Sequence, residues 1–161
     1  MGSFLSIPIL VLAAAMQATF APQIQLLGGR PDLVLLLVLS WAVNAGFDES
    51  IIWAFVGGIA QDLLSATPTG TSTLGMIPLV FIIGSLNRQL YNIGLIMLTG
   101  LVIAGTMLKE LIEIIVLLLT GYQIGLVEIG YVLFPTILYN LIFIWPIYWF
   151  VRRVQRRLYT T

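Results

Sequence analysis

The stretch "VGGIAQDLLSATPTGTS" (residues 56–72) sets an aspartate, Asp62, at the end of a glycine-bearing apolar run and follows it with a polar turn. The chain around it avoids charge. Of its 161 residues 60% are hydrophobic and only 9% are charged, against about 25% charged in an ordinary soluble domain. A surface so poor in charge predicts lipid as the solvent for most of the molecule. The expectation is an integral membrane protein, with residues 56–64 the apolar end of one helix and residues 65–72 the turn into the next.

Working outward, apolar runs fall at about residues 4–21, 33–45, 51–64, 74–86, 93–119 and 129–151. Each break between them holds Gly, Pro, Asn, Asp or Ser, the residues that stop helices and build turns. Unbroken Leu/Ile/Val runs lack the alternation of a spanning barrel. The fold class predicted is all-α: a compact single-domain bundle of about six transmembrane helices, with 152–161 a basic cytoplasmic tail. The second and third runs reach only about 21 Å, short for a hydrocarbon core of about 30 Å. They either extend through their polar flanks or form a re-entrant hairpin shielded by protein. The N-terminus carries no Lys or Arg before its apolar run, which predicts a retained first span rather than a cleaved signal.

Orientation follows from the basic residues. Arg152, Arg153, Arg156 and Arg157 crowd the tail, and the positive-inside rule puts them in the cytoplasm. Both termini then lie inside, with Arg88 inside and Arg30 the loop arginine outside. The tail arginines recur at i and i+4, so they suit an anchor on anionic lipid or a cytoplasmic partner.

In this topology the second and third helices are antiparallel neighbours, and "GGRPD" (28–32) meets "QDLLS" (61–65) at the outer face. A buried carboxylate is costly unless paired or hydrogen-bonded. Asp62 is therefore expected to meet Arg30, the hydroxyls or amides of "TPTGTS" (67–72), or both. Pro68 biases Thr67 toward extended backbone, Gly70 can take positive φ, and Thr71, Ser72 or Thr73 can cap the fourth helix. Pro31 and Asp32 suit the first turn of the second helix, where a carboxylate meets the positive end of the dipole. Asp48, Glu49 and Ser50 suit the start of the third.

Gly57 and Gly58 let a neighbouring helix come close, as small residues do in membranes; a partner helix is expected near that face. Ala14 and Ala18 form a similar pair. Lys109, Glu110 and Glu113 are the most expensive residues in the chain. Lys109 and Glu113 lie one turn apart and can pair, either as an ion pair near the headgroups or as a functional intramembrane site.

The chain has no cysteine and no histidine, which removes thiolate and imidazole chemistry and the usual zinc and haem ligands. It also lacks G-x-S-x-G, H-E-x-x-H and the lysine-bearing phosphate loop. The expectation is a protein that is not an enzyme, with no cofactor and no metal. A net charge of zero gives no footprint for nucleic acid.

"LLGGRPDLVLLLVLSWAVNAG" (26–46) followed by "AFVGGIAQDLLSATPTGTSTLG" (54–75) resembles the bacterial rod shape-determining MreD family. The features that carry the resemblance are Gln17 and Phe20 at the end of the first span, Pro31–Asp32 before an apolar helix, and Gly57, Gly58, Asp62 and Leu63 in the third. The turn with Pro68 and Gly70 completes it, reading "TPTG" where many relatives have Pro-Leu-Gly. The resemblance implies a multi-pass scaffold of the inner membrane in the cell-elongation machinery, binding the single-span protein MreC. Through MreC it would reach the MreB filament and the glycosyltransferase–transpeptidase pair of lateral peptidoglycan synthesis. The family is also similar in fold to S-components of energy-coupling-factor transporters, so an S-component-like, vitamin-binding protein is the alternative. Short outer loops poor in aromatic side chains, Tyr122 excepted, argue against a vitamin lid.

Overall fold

The computed structural model describes residues 2–86 and 94–159; Arg88 lies outside the described residues. Among the described residues six α-helices follow one another: α1 (Gly2–Phe20), α2 (Leu33–Asn44), α3 (Phe47–Leu63), α4 (Thr71–Leu86), α5 (Leu95–Leu119) and α6 (Leu126–Tyr159), with a 3-10 turn at Ala21–Gln23. No strand occurs among the described residues, as the unbroken apolar runs predict. Two helices, over Ser6–Gln23 and Val127–Leu158, are long and apolar enough to cross a membrane.

The bundle is organised around α2. Every residue from Val34 to Val43 is buried, and α2 packs against all five other helices. A helix apolar on every side must be enclosed by protein or lipid; here protein encloses it. Its twelve residues span about 18 Å. Neighbouring helices, not lipid, meet its sides, so its length answers to them. Helix α3 starts at Phe47 and carries Asp48 and Glu49 in its first turn, so the third run does extend through its polar flank.

Helix α1 buries Ser6, Leu10, Ala13, Ala14 and Gln17 along one stripe, the i, i+3, i+4, i+7 spacing of a one-sided helix. Ala18 is exposed. Helices α2 and α3 run antiparallel and stack Trp41 on Trp53, ring centroids 3.9 Å apart at 12°. Both indoles are fully buried.

Helix α3 is wedged between two sets of neighbours, and its paired glycines are the reason it fits. A Cβ on Gly57 would sit 2.9 Å from Val34 Cγ1 of α2 and 3.3 Å from Leu10 Cδ2 of α1. One on Gly58 would sit 2.5 Å from Thr73 Cα of α4. Both positions face the protein's own helices, which corrects the expectation of a partner helix there.

The helix ends sort into two levels. Gln17 of α1, the N-terminus of α2, the C-terminus of α3 and Glu113 of α5 line common cavities with Glu128 and Thr136 of α6. At the opposite end Gln155 Nε2 of α6 donates to the Trp41 carbonyl of α2 at 3.4 Å. Phe47 of α3 there meets Phe81 of α4 edge to face, centroids 5.0 Å apart. The start of α1 and the end of α6, with Arg152, Arg153, Arg156 and Arg157, therefore share one end, and Arg30 belongs to the other. The outside of the bundle is greasy: Phe4, Leu12, Ile96, Leu119, Phe134 and Ile142 stand exposed. Apolar exposure on this scale marks an interaction or membrane surface.

Candidate functional site

The start of α2 poses a physical problem. The first amides of any helix lack intrahelical partners, and here those of Val34 and Leu35 are buried. The helix's own N-cap and side chains of other helices supply the acceptors. Asp32 is the N-cap, its Oδ1 accepting from Leu35 N at 3.0 Å. Gln17 Oε1 of α1 accepts from Val34 N at 3.1 Å. Asn140 Oδ1 of α6 accepts from Asp32 N at 2.8 Å, and Asn140 Nδ2 donates to Thr106 Oγ1 of α5 at 2.9 Å. One step earlier, Arg30 N donates to Thr136 Oγ1 at 3.4 Å.

The other carboxylate oxygen of Asp32 takes a charge. Lys109 Nζ lies 2.5 Å from Asp32 Oδ2, and Gln61 Nε2 of α3 donates to the same oxygen at 3.4 Å. Lys109 reaches it because Gly75 of α4 leaves room for the lysine stem; a Cβ there would sit 2.8 Å from Lys109 Cγ. Lys109 also meets Glu113 at 3.5 Å, the i,i+4 pair expected from the sequence. Lys109 is 2% and Asp32 5% exposed. Removing two charges from water is repaid only when further hydrogen bonds satisfy them; Leu35 N, Gln61 and Glu113 do so here.

Asp62 solves the same problem for α4. It is 2% exposed; Oδ2 accepts from Gly70 N at 2.7 Å and Oδ1 from Ser72 N at 3.0 Å. Gly70 has φ +100°, the left-handed turn glycine permits. Thr71 Oγ1 donates to the Pro68 carbonyl at 2.7 Å and so closes the turn. The amides of 67–72 are thus the partners of Asp62, and Arg30 is not. The cap of α4 comes from the end of α3 instead of from Thr71, Ser72 or Thr73. Similarly, α2 begins at Leu33, so Pro31 precedes the N-cap and lies outside the first turn.

Residues 1–158 match the family described as rod shape-determining protein MreD. The chain belongs to the MreD family. No curated protein and no solved structure matches it. The MreD match covers essentially the whole bundle and gives the chain a role in rod-shape determination; the family is defined by shape determination and not by a reaction. Among the described residues no group of three His, Cys, Asp or Glu is placed to hold a metal.

In this MreD-family chain the structure brings Arg30, Pro31, Asp32, Lys109 and Glu113 to one cavity of about 300 Å³. Asp62, Pro68 and Gly70 form the neighbouring turn, and Gly57 and Gly58 lie deeper in the core. The tail arginines stand exposed at the far end, Arg153 over the Trp149 ring at 5.2 Å. Sequence reasoning missed Gln61, Thr106, Thr136 and Asn140 as members of the network. Their signal was available: a polar side chain inside an apolar run needs a partner, and Asn140 and Thr106 each interrupt one.

Proposed function

We propose that this MreD-family protein is a non-enzymatic, multi-pass scaffold of the bacterial inner membrane, binding MreC. Through MreC it couples the MreB cytoskeleton to the enzymes of lateral peptidoglycan synthesis. The match over residues 1–158 carries the reading. The buried network supports it: Gln17, Asp32, Asp62 and Asn140 fix helix ends in the core, as a rigid platform requires.

The proposed topology is about six crossings with both termini in the cytoplasm. It is supported by four arginines gathered at the end of the bundle that holds both termini, the asymmetry the positive-inside rule reads. Because Gly57 and Gly58 are filled from within, the partner's helix docks on an outward, lipid-facing surface.

A pull-down of the tagged protein from membranes in mild detergent tests the function. Recovery of MreC is expected. Its absence, together with a vitamin carried through purification, would replace this reading with the S-component one.

A further inference from the structure

The cavity beside Asp32 has an unbalanced lining. Asp32, Glu110, Glu113 and Glu128 face Arg30 and Lys109, a formal excess of two negative charges. Lys109 is engaged by Asp32 and Glu113. Glu128 Oε2 accepts from Gly125 N at 3.4 Å. Among the described residues the Arg30 guanidinium and the Glu110 carboxylate make no ion pair or side-chain hydrogen bond. One cation and one anion thus line the same space, neither held by a direct contact among those residues.

The upper walls are apolar: Ile114 and Leu117 of α5, Ile129, Val132 and Leu133 of α6. The cavity adjoins the outside of α6. Glu128 and Val132 line it and line the adjoining shallow groove, where Leu27 and Tyr131 add an apolar surface. The groove continues over Val127 and Phe134. A charged chamber beside an exposed apolar groove fits an amphiphile.

The geometry points to a phospholipid site for a head group bearing both a primary ammonium and a phosphate, as in phosphatidylethanolamine. The ammonium faces Glu110 and Glu113, the phosphate faces Arg30, and the acyl chains lie along the α6 groove. A primary ammonium has three N–H donors to give to carboxylates. A quaternary choline instead seeks aromatic faces, and no aromatic residue lines the chamber. The site lies at the end of the bundle that holds Arg30, and it stands whether or not MreC binds.

The test is calorimetric titration of the full-length protein in detergent. Dihexanoyl phosphatidylethanolamine, dihexanoyl phosphatidylcholine, dihexanoyl phosphatidylglycerol and chain-free glycerophosphoethanolamine are compared. The ethanolamine lipid is expected to bind about tenfold tighter than the other two lipids, the worth of one charge-assisted hydrogen bond. Arg30→Gln and Glu110→Gln should each weaken it by about the same factor while the protein stays folded and monodisperse, since neither side chain makes a hydrogen bond or ion pair among the described residues. Equal affinity for the three lipids, or unchanged binding in both variants, overturns the site. Binding of glycerophosphoethanolamine as tight as that of the lipid overturns the acyl-chain groove and makes the ligand a soluble zwitterion.

Discussion

Lys109 and Asp32, 77 residues apart in sequence, form an ion pair of 2.5 Å in the core of the bundle. The pair joins the N-terminus of the central helix α2 to the middle of α5. Around it, side chains from α1, α3 and α6 complete the hydrogen bonds of the same helix end. The cost of the charges and the cost of the unpaired amides are thus met by one network.

Removing the lysine of that pair leaves the buried Asp32 carboxylate without a cation. Lys109→Met alone is expected to destabilise the protein by about 3–5 kcal/mol. Asp32→Asn keeps a capping side chain and leaves the lysine with Glu113 as its remaining anion, so it should cost less. The double variant Asp32→Asn/Lys109→Met should be more stable than the sum of the singles predicts. Denaturant unfolding in mixed micelles, followed by tryptophan fluorescence, measures the cycle; strict additivity would show that the two residues do not interact.

Asp62 holds two amides of the next helix. Asp62→Ala should cost about 1–3 kcal/mol, the penalty for buried donors left unmade, and Asp62→Asn less. The first consequence should be a loosened turn, seen as faster proteolysis between residues 64 and 71. Unchanged cleavage in the alanine variant would contradict the cap.

Gly58→Leu should prevent close packing of α3 on α4, because even a methyl group meets the Thr73 backbone. Gly57→Leu should force α3 away from Val34 and Leu10 in the same way. Both variants are expected to aggregate or elute heterogeneously on size exclusion. A monodisperse, stable protein that had lost only MreC would restore the glycine face as the docking surface.

The natural chain has no cysteine, so an introduced thiol reports its own side of the membrane. Leu27→Cys, in the exposed loop before α2, should react with an impermeant maleimide in intact spheroplasts. Arg157→Cys, near the end of α6, should react only after lysis. Labelling of both before lysis would refute the proposed orientation.

The helix count and most helix boundaries were legible in the sequence because apolar runs broken by Gly, Pro and Asp leave a chain in oil no other local choice; the starts of α3, α4 and α6 and the end of α6 were not, since those helices run on through polar residues. The turn after α3 was legible for the same reason: Pro68 and Gly70 restrict the backbone one residue at a time. The partner of Lys109 was only half legible. Glu113 follows from the 3.6-residue period on one helix, whereas Asp32 depends on which helices become neighbours. The same holds for Asn140 and Gln17, which serve amides on another helix.

By itself the sequence determined that this protein is all-helical and suited to lipid, since hydrophobicity and turn chemistry act along the chain. Only the tertiary structure decided that α2 is the central helix, that the glycine pair faces inward and that Asp62 caps α4 instead of meeting Arg30. Buried charges and unpaired amides take their partners from whatever is nearest in space, and that nearness is set when six helices pack together.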